Sequence, residues 1–122
     1  MIRWRIPLYV GASVRAELAG LLQKAEEDAA SYKGDACLIV LSPEPAARVE
    51  ILSLKELRHK YYREKRLIGL GLAGGRQEAL VQVQRLVNDC LRERGHADLG
   101  EYFSDLNDSV LKATREVIAS LP

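Results

Sequence analysis

LIGLGLAGG, residues 67–75, places glycine at positions 69, 71 and 74. This G-x-G-x-x-G spacing occurs where a strand turns into a helix around a dinucleotide pyrophosphate, and it also arises in any glycine-bearing strand that runs into a helix. The surroundings decide between the two. A dinucleotide fingerprint needs its glycines in the turn itself and an acid about 20 residues further on, at the end of a following strand. Here only Gly74 and Gly75 reach the turn, and the acid at that distance, Asp89, falls inside a predicted helix. Gly69 and Gly71 alternate with Ile68, Leu70 and Leu72, so an extended chain puts both glycines on one face and the aliphatic residues on the other. A bare face suits close approach of a helix or another backbone. The stretch therefore reads as a strand, a turn and the opening of a helix.

Downstream of Gly75, the residues Ala79, Leu80, Val83, Leu86, Val87, Cys90 and Leu91 recur at helical spacing until Gly95. A terminal helix is predicted from Ser104 or Asp105, with Leu106, Val110, Ala113, Val117, Ile118 and Leu121 along one stripe. Upstream, LKELRHKYYREK has Leu54, Leu57 and Tyr61 on one stripe and a Ser53/Glu56 capping-box spacing, which predicts a short basic helix.

Further back, ACLIVLS (36–42) is a continuous apolar run between KGD and PEP, as expected of a strand covered on both faces. After Pro43 and Pro45, RVEILSL alternates and predicts an antiparallel return, making a hairpin with a loop of about five residues. IRWRIPLYV (2–10) predicts the first strand, with Pro7 favouring an edge or an interruption. Ser13 is the expected N-cap of a first helix in which Val14, Leu18, Leu21, Leu22, Ala25 and Ala29 share a face, ending near Gly34.

The order β-α-β-β-α-β-α-α predicts an α+β fold in one domain over residues 1–122. It implies a four-stranded mixed or antiparallel sheet with about four helices. Its first six elements have the βαββαβ order of a ferredoxin-like split βαβ, with two C-terminal helices appended.

With 122 residues, 48% of them hydrophobic and 29% charged, the chain falls in the range of ordinary globular proteins. Lys plus Arg total 18 against 17 Asp plus Glu. No global field then draws it to nucleic acid or an anionic membrane. Neither a secretory signal nor an apolar run of about 20 residues is present, so a cytoplasmic location with no membrane contact is expected. Cys37 and Cys90 each lie among apolar residues and read as reduced, buried side chains.

Three sites are candidates. The turn Gly74, Gly75 and Arg76 offers free helix amides and a guanidinium to a phosphate or carboxylate, although Glu78 can fill the first turn unaided. VGASVR, with Gly11 and Arg15, is a second strand-to-helix junction of the same kind. The basic and aromatic run 58–66 offers Arg58, Lys60, Tyr62, Arg63, Lys65 and Arg66 to nucleic acid, by phosphate neutralisation and base stacking. The bland reading of that run is a solvated helix face with Tyr61 turned to the core.

The third candidate is an association face of Leu106, Val110, Val117 and Leu121 on the terminal helix. His59 and His96 lack companions at ligand spacing, so no metal and no cofactor are expected. No nucleophile, acid pair or base rises above background. The expected function is a non-enzymatic interaction module acting through a protein partner or self-association, with nucleic-acid binding and anion binding as alternatives.

Overall fold

The computed structural model describes residues 2–27, 29, 32–42, 48–58 and 66–102, and the structural statements below concern these alone. Strand β1 (Ile2–Val10) leads into a 3-10 segment (Ala12–Glu17) and helix α1 (Leu18–Glu27). Strands β2 (Cys37–Ser42) and β3 (Arg48–Ser53) follow, then a 3-10 turn (Leu54–Arg58) and strand β4 (Leu67–Ala73). Helix α2 (Arg76–Arg94) and the single turn α3 (Leu99–Tyr102) complete the described chain. The class is α+β. Of the expected helices, only α1 and α2 exceed one or two turns among the described residues, and the terminal helix predicted beyond residue 103 lies outside them.

The sheet is mixed, in the order β1-β4-β2-β3. β4 runs parallel to β1 and antiparallel to β2, which pairs antiparallel with β3 from Cys37↔Ser53 to Ser42↔Arg48. This order corrects the ferredoxin-like expectation. A split βαβ joins two parallel strands through its helix, whereas here β1 and β2 run in opposite senses on either side of β4. The reason lies at one end of the sheet: β1 leaves beside Leu72, and the chain re-enters as Cys37 beside Ala73. Departure and return at the same end make the two strands antiparallel.

Both faces of the sheet are covered. Leu38 and Val40 join Ile2, Trp4, Leu52, Leu67 and Leu72 beneath α1, where Leu21, Leu22 and Ala25 point inward. Cys37, Ile39 and Leu41 face the other way, with Leu70 and Ala73, against Ala79, Leu86 and Cys90 of α2. Every residue of β2 is buried, as its unbroken apolar run predicts. On the α1 side, the Trp4 Nε1–H donates to Glu26 Oε1 at 2.9 Å and ties the first strand to the first helix.

The glycine strand departs from simple alternation. Along β2, the neighbours Ile39 and Val40 pair with Gly71 and Gly69, so Leu70 is an extra residue on β4. Such a bulge flips the faces that follow it. Leu70 accordingly belongs to the α2 side and Leu72 to the α1 side, which corrects the expectation that they share one face. On its other edge, β4 shifts register with β1 between Trp4 and Tyr9, a stretch that includes Pro7. The two glycines then serve different neighbours: a Cβ at Gly69 would overlap the Trp4 ring, and one at Gly71 would overlap the Tyr9 carbonyl oxygen.

Two local expectations about caps also meet the structure. Ser13 does not cap α1, because the chain first makes a 3-10 segment whose N-cap, Gly11, has no side-chain bond. Glu56 does complete its half of the capping box, accepting from the Ser53 amide at 2.8 Å. At the far end of α2, Gly95 adopts φ 75 and its amide donates to Leu91 O at 2.9 Å. That left-handed closure is where glycine is favoured.

Candidate functional site

Glu78 lies where the two strand-to-helix junctions meet. Its Oε1 accepts from the Gly74 amide and from the Ser13 hydroxyl, each at 2.7 Å. The Gly74 amide, followed by the Ser13 hydroxyl, holds the Glu78 carboxyl below the usual glutamate range. Gly11 packs so closely that a Cβ there would overlap this carboxylate. The protein thus supplies its own anion at the opening of α2, the position the sequence offers to an external phosphate or carboxylate. Of the three candidate residues there, Gly74 gives its amide to Glu78, Gly75 meets open space, and Arg76 is exposed. Arg76 also lines a groove along β3.

That groove follows from the width of the apolar arc on α2. At about 100° per residue, Leu86, Ala79 and Cys90 form the buried seam, and Val83, Val87, Leu80 and Leu91 continue from it around one flank. Val83 and Val87 are half-buried, whereas Leu80 and Leu91 are 51% and 45% exposed. The arc spans about 140°, more than one helix presents to the sheet beneath it. Between this flank and edge strand β3 lies an open groove of about 510 Å³, lined by Val49, Ile51, Leu80 and Val83 with Glu50, Glu56 and Arg76 among the rest. The turn α3 packs against α2 and β3.

The opposite flank of α2 is polar and tied down. The Tyr9 hydroxyl donates to Asp89 Oδ2 at 2.6 Å, and Arg92 donates to Asp89 Oδ1 at 2.7 Å. Burial, then the bond to Asp89, raises the Tyr9 phenol well above its ordinary range, and the same bond lowers Asp89. The Tyr102 hydroxyl donates to Glu93, and its ring lies 5.9 Å from the Arg5 guanidinium and 5.8 Å from that of Arg94. Burial and Glu93 push the Tyr102 phenol up to about 12. Phenols held protonated in this way are donors at neutral pH and poor bases. They anchor β1 and α3 to α2.

The other candidates fall only in part within the described residues. Of the basic run, Arg66 is exposed, Arg58 ends the 3-10 turn, and Lys60, Tyr62, Arg63 and Lys65 lie outside the described residues. The face Leu106, Val110, Val117 and Leu121 lies outside them as well. Cys37 and Cys90 are buried thiols outside any disulfide, and burial raises the Cys37 thiol despite Arg76 nearby. Among the described residues, no group of three or more His, Cys, Asp or Glu is placed to hold a metal, and no helix is long and apolar enough to cross a membrane.

The residues that sequence reasoning missed are Leu80 and Leu91 in their exposed role. Seven apolar positions in one helix were visible, and the width of their arc is the signal that some must lie beyond the core. Comparison with models of protein families, with curated proteins and with solved structures finds no match.

Proposed function

We propose that this protein is a non-enzymatic interaction module that docks an amphipathic helix of a partner protein in the groove between β3 and α2. One observation carries the reading: the aliphatic flank of α2 continues past the core and forms, with Val49 and Ile51, an open wall-to-wall groove. Helix-in-groove recognition uses anchors at intervals of three, four and seven residues, and Leu80 and Val83 in the groove, with Val87 and Leu91 further along the same helix, repeat at those intervals. Covering an aliphatic side chain of this size contributes about 1.5–3 kcal/mol when it becomes fully buried.

Charge narrows the partner. Arg76, at the start of α2, is exposed and lines the groove. A helix with aliphatic residues along one face and an acid towards one end complements that arrangement. The two buried thiols, neither in a disulfide, support a reducing, cytoplasmic setting for such a module.

The test is a titration of the isotopically labelled full chain with a synthetic peptide of residues 104–121, whose sequence carries that pattern. The chain carries Val110→Ser and Val117→Ser, so that its own stripe does not compete. Amide shifts are expected at Val49, Ile51, Leu80, Val83, Val87 and Leu91, and Val83→Glu should abolish them. No shift at millimolar peptide would overturn the docking reading.

A further inference from the structure

We infer that the outer edge of β3 pairs antiparallel with β3 of a second copy of this chain, about a two-fold axis at Val49, joining the two sheets into one. The inference is independent of the helix-docking reading, since it concerns the main-chain edge of the strand and not the aliphatic flank of α2. That edge is open among the described residues: β3 closes the order β1-β4-β2-β3 and pairs there only with β2. Four consecutive residues, Val49 to Leu52, line the groove, although Glu50 and Leu52 pair with Val40 and Leu38 of the α1 side. The groove therefore runs along the outer main chain of the strand.

The ladder with β2 fixes which groups the edge presents. The Leu54 amide donates to Ala36 O at 3.0 Å, so by alternation Leu52, Glu50 and Arg48 direct their main-chain groups to β2, whereas Ser53, Ile51 and Val49 turn theirs outward. Outward groups of this kind are a template for another strand. Charge selects a second copy as that strand. Arg48 Nη2 lies 2.9 Å from Glu50 Oε1, and the Arg48 side chain is 65% exposed. Glu50 Oε2 is buried and has no hydrogen-bond partner among the described residues.

Charge also sets the register. With the axis at Val49, the Val49 amides and carbonyls bond each other across it, and Arg48 stands opposite the partner's Glu50 on both sides. Those flanking pairs are of the non-hydrogen-bonded kind, where Cα atoms approach to about 4.5 Å and side chains are closest. Each Glu50 keeps its own Arg48 on Oε1 and gains the partner's Arg48 on Oε2. An axis at Glu50 would instead oppose two carboxylates, and one at Ile51 would set Glu50 against Leu52. The far edge of the sheet is unsuited to the same arrangement. β1 contains Pro7, which has no amide hydrogen, and its Arg3 and Arg5 put one sign at the spacing that Arg48 and Glu50 fill with opposite signs.

Analytical ultracentrifugation of the full chain tests the pairing and should show a concentration-dependent monomer-dimer equilibrium. Glu50→Arg and Arg48→Glu each set like charges opposite one another in both pairs and should weaken the dimer by about tenfold or more. Mixed in equal amounts, the two variants should form a heterodimer, because one edge is then basic and the other acidic. Val49→Pro removes an outward amide and none of the bonds to β2, so it should give a monomer whose circular dichroism matches wild type. This variant decides the matter if a charge reversal fails to fold. A wild-type chain that stays monomeric at millimolar concentration would overturn the inference. So would a dimer indifferent to Val49→Pro, or a mixture of the two folded charge variants that stays monomeric.

Discussion

Ser13 and Glu78, 65 positions apart, share a hydrogen bond of 2.7 Å that fastens the turn after β1 to the turn after β4. Both junctions open onto the same end of the sheet, since Val10 pairs with Leu72 and the Gly11 amide donates to Leu72 O at 2.8 Å. One carboxylate therefore serves two loops. It also occupies the amide end of α2, where a negative charge is favourable.

This arrangement gives a pH signature. Glu78 has a folded pKa below its unfolded value, so its contribution is complete above the ordinary glutamate range near 4.3 and fades as pH falls through the lower folded value. Glu78→Gln should lower the urea midpoint at pH 7, and the gap to wild type should shrink below about pH 4. A gap that stays constant from pH 7 to pH 3 would contradict the assignment. Because the group is partly exposed, the effect should weaken in high salt.

The glycine strand gives a steric series. Gly71→Ala pushes a methyl group into the Tyr9 carbonyl, and Gly69→Ala pushes one into the buried Trp4 ring. Overpacking of this kind costs about 1–3 kcal/mol, and the backbone clash at Gly71 should be the worse of the two. Gly75 has extended backbone at φ 179 and open space around it. Gly75→Ala should therefore stay within about 0.5 kcal/mol of wild type in chemical denaturation, as a surface change does.

Tyr9 and Asp89 give a coupled pair. Hydrogen bonds to a charged group contribute about 1.5–3 kcal/mol when buried, and this one is half-buried, so Tyr9→Phe should cost about 1–2 kcal/mol. Asp89 is lowered, so the bond loses strength as pH falls below about 3.9; Tyr9 is raised, so its share is present below about pH 10 and is lost above it. The Tyr9→Phe penalty should be flat between those limits and fall off on both sides. In a double-mutant cycle with Asp89→Asn, the two costs should not add.

The α2 seam and its flank should respond differently to truncation. Leu86 is fully buried, and Leu86→Ala should cost about 2–5 kcal/mol. Arg76→Glu places a third acid beside Glu56 and Glu50 at the groove and should weaken peptide binding while leaving the urea midpoint nearly unchanged. Equal losses of stability and binding in Arg76→Glu would instead make Arg76 part of the folding scaffold.

Much of the framework is local and was legible as such. The apolar run at β2, the hairpin to β3, and the long helix closed by Gly95 all follow from spacing and turn residues near each element. The glycine strand was legible as a strand but its faces were not. Alternation assumes regular pairing, and the bulge at Leu70 comes from the partner strands on both sides. Ser13 likewise has the chemistry of a cap, yet its hydroxyl finds Glu78 first, a partner no local window contains. The groove had a trace in the sequence as an apolar arc too wide for one buried seam.

By itself, then, the sequence determined an α+β chain with one strand buried on both faces, a hairpin and a strongly amphipathic helix, because periodicity and turn chemistry act over a few residues. Tertiary structure alone decided that β4 inserts between β1 and β2, that the helices cover opposite faces, and that the candidate anion site is filled by Glu78. Those outcomes depend on which distant segments meet. Strand pairing, the bulge at Leu70 and the exposure of Leu80 and Leu91 are properties of those meetings, and no short stretch of the chain encodes them.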